Sequence, residues 1–102
     1  MRPTIALAAL LAGCVTISQE AEQVTLYSVQ TNALGGCTRL GQVSSGDVAL
    51  WAYGEFRDAA QQATNNLRDA ARRTYGANAV VLINVDRVGS AVFAEGFAYK
   101  CE

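Results

Sequence analysis

The residues of this chain with the most reactive side chains are its three cysteines, Cys14, Cys37 and Cys101. A thiolate can be acylated, can pair with a second thiol as a disulfide, or can bind a soft metal ion. The sequence contains no histidine and no Cys-x-x-Cys motif, so the ligands that usually complete a cysteine metal site are missing. Acylation and disulfide formation are therefore the two reactions that the sequence favours.

The sequence gives little support for acid–base or nucleophilic catalysis. Without histidine, proton transfer would depend on carboxylates, tyrosines or Lys100, and the acidic residues form no obvious close pair. Ser44 and Ser45 lack the Gly-x-Ser-x-Gly setting of a hydrolase nucleophile. We therefore expect no catalytic residue, no metal, no cofactor and no enzymatic activity.

Cys14 ends the run Leu11-Ala12-Gly13-Cys14, which closes a short apolar stretch that begins two residues after Arg2. A basic start, an apolar middle and small residues before a cleavage point are the three parts of an export signal. The stretch from Thr4 to Ile17 would be about 21 Å long as a helix, too short for the roughly 30 Å hydrocarbon core of a bilayer. A secretory signal with an unmodified cysteine is the alternative.

The residues before Cys14 resemble the signal of bacterial lipoproteins, which is cut before a cysteine that then carries lipid. This resemblance implies a lipoprotein signal peptide at residues 1–13, lipidation of Cys14, and a polar tether that extends to residue 23. The residue after the cysteine is Val15, whereas in such lipoproteins an aspartate at this position favours retention in the inner membrane. The resemblance thus predicts a lipid-anchored protein of the bacterial cell envelope, held in the outer membrane and facing the periplasm.

Charge and length limit the remaining classes of function. The chain has eight Lys and Arg against nine Asp and Glu, and loss of Arg2 with the signal leaves a formal charge of −2. Nothing in this balance attracts nucleic acid. Residues 24–102 are enough for one domain with a modest core, which a covalent crosslink would help to stabilise.

Cys37 and Cys101 remain once Cys14 is assigned to lipid, and an exported protein meets a compartment in which disulfides persist. A bond that closes a loop of about 65 residues would contribute roughly 4 kcal/mol in the chain-entropy model. Two buried free thiols, or a redox-active pair that cycles between bonded and free, are the alternatives that the sequence leaves open.

Hydrophobic periodicity predicts the elements that position these residues. We expect one small α+β domain with β-β-α-β-β order, in which one helix packs on a small, mainly antiparallel sheet with one disulfide. The predicted elements are strands Val24–Val29, Cys37–Val43, Ala79–Val85 and Ala91–Cys101, and a helix from about Glu55 to Tyr75. If the second and last strands are antiparallel, Cys37 lies beside Cys101.

Several residues of these elements have a predicted structural role. The apolar stripe of the helix comprises Phe56, Ala60, Ala63, Leu67, Ala71 and Tyr75, and Gly76 is its C-cap. Arg68 and Asp69 are predicted to be solvated or to form a local ion pair. Gly41 and Gly96 indicate close backbone packing, and Asn78 is predicted to satisfy backbone groups in a turn.

Four phrases resemble small bacterial lipoproteins of the domain-of-unknown-function 4156 family, which is similar in fold to the stress-sensing outer-membrane lipoprotein RcsF. They are residues 37–43, 67–71, 76–82 and 96–101. The resemblance implies a disulfide between Cys37 and Cys101 and an envelope location, and it implies no known reaction. The chain departs from the sensor in two respects, because it lacks a long proline-rich tether and has cysteines for only one disulfide.

Residues 48–53 join the second strand to the helix and contain the only tryptophan. Val48, Leu50, Trp51 and Tyr53 form the candidate interaction surface, because exposed aromatic residues mark contacts with a protein or a membrane. The alternative is an extra short strand or a loop folded over the core. On a lipid-anchored domain, Trp51 could instead lie among lipid headgroups.

These observations predict a non-enzymatic, lipid-anchored protein of the bacterial cell envelope that is a protein-binding or envelope-sensing module, with a possible envelope protein as its partner. Its contact with the membrane is the lipid on Cys14. The alternative function is a thiol-disulfide redox sensor that uses Cys37 and Cys101.

Overall fold

The structure, a computed structural model, describes residues 14–28 and 34–102. The signal peptide predicted for residues 1–13 lies outside the described residues, as does Val29 at the end of the first predicted strand. The described elements are α1 (Gln19–Glu22), β1 (Thr25–Tyr27), β2 (Cys37–Ser44), β3 (Val48–Ala49), a 3-10 turn (Leu50–Ala52), α2 (Phe56–Tyr75), β4 (Ala79–Val88) and β5 (Ala91–Cys101).

The strands form one mixed sheet in the order β1-β4-β5-β2, with β3 paired to the start of β5. β1 is parallel to β4, and the other pairs are antiparallel. This arrangement confirms the predicted α+β domain, in which one main helix packs on the sheet. β1 pairs only with residues 79–81, so within the described part of the chain the rest of β4 is an edge.

Small residues let α2 lie close to the sheet. The buried side chains of the helix are Ala59, Ala63, Leu67 and Ala71, together with two amides, Gln62 and Asn65. The buried face of β5 presents side chains of similar size, Val92, Ala94 and Ala98. Phe56 and Tyr75, predicted as parts of the apolar stripe, are partly exposed because they occupy the two ends of a helix about 30 Å long.

The alternation predicted for the last strand is present in β5. Phe93, Phe97 and Tyr99 are half-buried and occupy the face opposite the helix, because successive side chains of a strand point to opposite faces. The guanidinium carbon of Arg39 lies 3.6 Å from the centroid of the Phe97 ring, a cation–π contact that covers part of this face.

Two predicted glycine positions have a clear physical basis. Gly76 ends α2 with a φ of 68°, and its amide donates to the Arg72 carbonyl at 2.8 Å, which makes it the predicted C-cap. A Cβ at Gly96 would lie 3.1 Å from the Val81 carbonyl carbon and closer still to its oxygen. The interpretation of Gly96 as a site of close backbone packing is therefore confirmed.

Candidate functional site

The segment predicted as an interaction surface folds partly over the core. Val48 is buried and pairs with Val92 of β5, so it is not available to a partner as the sequence predicted. Leu50 and Tyr53 are half-buried and pack against the core. This is the short strand and turn that the sequence left as the alternative. Trp51 differs from these three residues, because it is 79% exposed.

Trp51 has an exposed apolar neighbour in the sequence at the same end of the domain. The Leu50 amide donates to the Ser90 carbonyl at 2.7 Å, which ties the 3-10 turn to the β4–β5 turn. Phe56 begins α2, is 44% exposed, and has its Cβ tilted toward the helix N-terminus. We call Trp51 and Phe56 the apolar tip. Val88, the last residue of β4, is 65% exposed, but it pairs with Ala91 and lies on the face of the sheet opposite the helix.

A second feature lies along α2, where residues 16–24 pack against the helix; we call these residues the docked segment. The Thr16 amide donates to Gln62 Oε1 at 2.8 Å, and Gln62 Nε2 donates back to the Thr16 carbonyl at 3.1 Å. Asn65 Nδ2 donates to the same carbonyl at 3.0 Å. Gln62 and Asn65 are 6% and 7% exposed, so these bonds are shielded from water. The chain is thus held to the helix only two residues after Cys14.

Further polar contacts give the docked segment a direction. Ser18 Oγ donates to Asp69 Oδ1 at 2.6 Å, and Arg73 Nη2 donates to Glu20 Oε1 at 3.2 Å. From Thr16 to Glu20, later residues of the segment therefore meet later residues of α2, and this part of the segment runs parallel to the helix. It follows that the Cys14 end of the segment points toward the start of α2, where the apolar tip lies.

Arg68 and Asp69 are not simply solvated, as the sequence predicted. Arg68 Nε donates to the Val24 carbonyl at 2.9 Å. Asp69 accepts from Ser18 and also from Arg73 Nε at 2.8 Å, the local ion pair that the prediction allowed. The prediction was wrong for Arg68 because the docked segment covers that face of the helix.

Gln62 and Asn65 were not singled out from the sequence. The available signal was a polar stripe at helical spacing, since Gln62, Asn65, Asp69 and Arg73 are separated by three or four residues. A search for apolar periodicity passes over such a stripe. Buried amides on a helix surface indicate a backbone partner, because a buried polar group without a hydrogen bond is costly.

The three cysteines are in different states. Cys37 and Cys101 face each other on β2 and β5, with Cα atoms 4.3 Å apart, and form the predicted disulfide. Asn78 donates to the Cys101 carbonyl and accepts from its amide, both at 2.7 Å, which confirms its predicted role. Cys14 is exposed and not bonded, so its thiol is accessible to an acylating reagent or enzyme.

Two further properties concern the described residues alone. Within 14–28 and 34–102, no helix has the length and apolar character needed to cross a bilayer. In the same part of the chain, no group of three or more cysteine or acidic side chains is placed so that it could bind a metal ion.

Comparison with known proteins gives one match. A family model described as "Domain of unknown function (DUF4156)" matches residues 15–101. No curated protein and no solved structure matches the chain significantly.

Proposed function

The chain belongs to the DUF4156 family, and we propose that it is a lipid-anchored, non-enzymatic protein of the bacterial cell envelope. Its anchor in this proposal is lipid on Cys14, and its domain is a binding or sensing module that contacts another envelope component through the apolar tip. Outer-membrane retention, facing the periplasm, is part of the proposal.

The state of the cysteines supports the anchor. Cys37 and Cys101 are consumed by the disulfide, which leaves Cys14 as the exposed thiol, and it follows the Leu-Ala-Gly run of the signal. Each buried CH₂ group of an acyl chain contributes about 0.8 kcal/mol to membrane binding. Two or more chains on Cys14 would therefore hold the protein on its membrane.

The exposure of Trp51 is the observation that carries the proposed contact. A tryptophan side chain is the largest apolar group of the chain, and here it is 79% exposed while its neighbours in sequence pack on the core. Tryptophan is also the residue type most enriched where binding energy is concentrated. A likeness in fold to the stress sensor RcsF is part of the proposal, and the two departures from that sensor mean that no signalling role is carried over from it.

The anchor is tested by intact-mass spectrometry of the protein extracted from membranes. We expect loss of residues 1–13 and the added mass of fatty chains on Cys14. Cys14→Ser is the matched variant, because it leaves the Cys37–Cys101 pair intact, and it should abolish both changes. A mature chain that lacks fatty chains would contradict the proposal.

The contact is tested by placing a photo-crosslinking amino acid at position 51 in intact cells. We expect an adduct with an envelope component, protein or lipid, that mass spectrometry can identify. Gln61, an exposed residue on the outer side of α2, is the control position and should give no such adduct. A protein that is expressed and folded but gives no adduct from position 51 would rule out the apolar tip as the contact.

A further inference from the structure

We propose that the apolar tip is a membrane-seating surface, in which Trp51 and Phe56 lie among the neutral headgroups and upper acyl chains of the bilayer that holds the lipid on Cys14. This inference rests on the proposed function, because acylation of Cys14 is its starting point. It identifies the envelope component at the tip as lipid.

The first step is the short distance between the anchor and the domain. Thr16 is fixed to α2 by the buried amides of Gln62 and Asn65. Only Cys14 and Val15 precede this fixed point in the described chain, and two extended residues reach about 7 Å. A bilayer that holds the lipid on Cys14 is therefore no farther from Thr16 than about 7 Å plus the length of the cysteine side chain.

The second step is direction. From Thr16 to Glu20 the docked segment runs parallel to α2, so its Cys14 end lies toward the start of the helix, as do Trp51 and Phe56. Thr74, near the other end of α2, is about 27 Å from Phe56 along the helix axis. The anchor and the apolar tip are thus at one end of the domain, and the opposite end is turned away from the bilayer.

The third step is the chemistry of the tip. An indole ring is amphipathic and favours the level of the headgroups, whereas a phenylalanine side chain favours the apolar layer below. The residues on either side of the tip in the sequence carry a small acidic excess, with Asp47, Glu55 and Asp58 against Arg57. We therefore expect the tip to seat better in neutral lipid than in anionic lipid.

A protein is a less suitable occupant of this surface. To reach the tip it would have to enter the gap between the domain and a bilayer that is held close to it by Cys14 and Val15. Burying Trp51 in lipid requires no such displacement. The geometry thus favours the membrane to which the chain is already attached.

The test uses vesicles to which the chain is attached independently of any cellular acylation. Every buried apolar residue of the described chain lies at or after Ala21, so the chain from Cys14 to Glu102 retains all of them. With its disulfide closed, this chain is coupled through Cys14 to a maleimide lipid in vesicles of phosphatidylcholine and phosphatidylethanolamine. Attachment gives an effective concentration of about 1 mM, so a weak contact becomes measurable.

Trp51 is itself the probe, because it is the only tryptophan in the sequence. We expect its emission to move to shorter wavelength on coupling, and to be quenched by lipids brominated in the upper part of the acyl chain. Replacing part of the neutral lipid by phosphatidylglycerol should reduce the quenching, because of the acidic excess around the tip.

Two controls separate orientation from general affinity for lipid. Cys14→Ser combined with Thr74→Cys moves the attachment to the far end of α2, and Trp51 should then emit as it does in water. Phe56→Asp places a charge in the tip and should reduce quenching in the Cys14-coupled chain. Ile83→Asp changes an apolar residue of β4 that is exposed to a similar extent, 46% against 44% for Phe56, and it should leave quenching unchanged. Circular dichroism of each variant checks that the fold is retained.

The outcomes distinguish this inference from the proposed function. Water-like emission without quenching in the Cys14-coupled chain overturns membrane seating, whether or not cells acylate Cys14. Equal quenching from both attachment points overturns the orientation, as does a protein adduct in place of lipid from position 51 in cells. Absence of fatty chains on the extracted protein overturns the anchor, whatever the vesicles show.

Discussion

Gly96 lies where three parts of the domain meet. It is buried in β5, and a Cβ at this position would approach the Val81 carbonyl group of β4 and lie 3.4 Å from Leu67 Cδ2 of the helix. The obstacle is mainly backbone, which cannot rotate away as the end of a side chain can. At Gly41 the obstacle is the phenol ring of Tyr75, with its Cζ 2.7 Å from the added atom, and a ring can move.

Gly96→Ala should therefore lower the free energy of unfolding by about 1–3 kcal/mol, because the sheet must shift to admit one methyl group. In a domain of this size, each kcal/mol corresponds to a fall of about 4–8 °C in melting temperature. Thermal unfolding of purified protein measures the change. Gly36→Ala is the control, since no atom lies within 4 Å of its added Cβ, and equal destabilisation by both variants would contradict the argument.

Residue type alone was enough to predict some of these roles and not others. Glycine within a strand and asparagine between a helix and a strand have few physical explanations, so the roles of Gly96 and Asn78 could be predicted from the sequence. Glutamine and asparagine on a helix are usually solvated. The roles of Gln62 and Asn65 depend on a segment more than 40 residues away, which periodicity within the helix does not show.

The disulfide depends on the pairing of β2 with β5. The register places Cys37 opposite Cys101, and Asn78 holds both backbone groups of Cys101 from the start of β4. The last residues of β5 are thus fixed on two sides. Alternation and turn signals predicted these long elements well. They did not predict β3, because a strand of two residues that pairs with β5 has no period to detect.

Cys37→Ser combined with Cys101→Ser should lower the free energy of unfolding by about 4 kcal/mol, since the bond closes a loop of 64 residues in the unfolded chain. Urea unfolding of the variant and of the oxidised protein gives the difference. Cys14→Ser is the matched single-thiol control and should have no effect, because Cys14 is exposed and not bonded.

The same cysteine pair decides the alternative function of a redox sensor. A reduction potential below about −300 mV would make the bond structural, because glutathione would not reduce it. A higher potential, together with little loss of stability in the serine variant, would contradict the structural role and favour the sensor.

At the scale of the whole molecule, the docked segment converts a stretch predicted as a tether into part of the folded domain. Thr16, Ser18 and Glu20 each bond to α2, so the chain has little freedom between Cys14, the proposed anchor, and the domain. Residues 15–23 are polar and weakly patterned, and this composition predicted a tether. Local composition does not show the hydrogen-bonding partners that these residues have on α2.

Gln62→Ala should loosen the docked segment without unfolding the sheet. The variant removes the two bonds between Gln62 and the Thr16 backbone and leaves the one from Asn65. This loss should cost about 2 kcal/mol and increase hydrogen exchange of residues 16–24 roughly 30-fold. Exchange in β4 and β5 should change little. Gln61→Ala removes the same side chain from the exposed side of the helix, and it should leave exchange in residues 16–24 unchanged. Similar exchange in the two variants would contradict the importance of the Gln62 bonds.

Within the described part of the chain, residues 82–88 of β4 have no partner strand on the side of β1, which has a consequence when copies of the protein are close together. An unpaired strand edge can add a strand from a neighbouring copy, which is a route to aggregation. Here the Arg87 amide donates to the Asp86 carboxylate at 2.7 Å, and Arg87 Nε donates to the Gly89 carbonyl at 2.8 Å. Charged side chains thus occupy two backbone groups at the end of this edge, so a second copy would have to break these bonds before it could pair there.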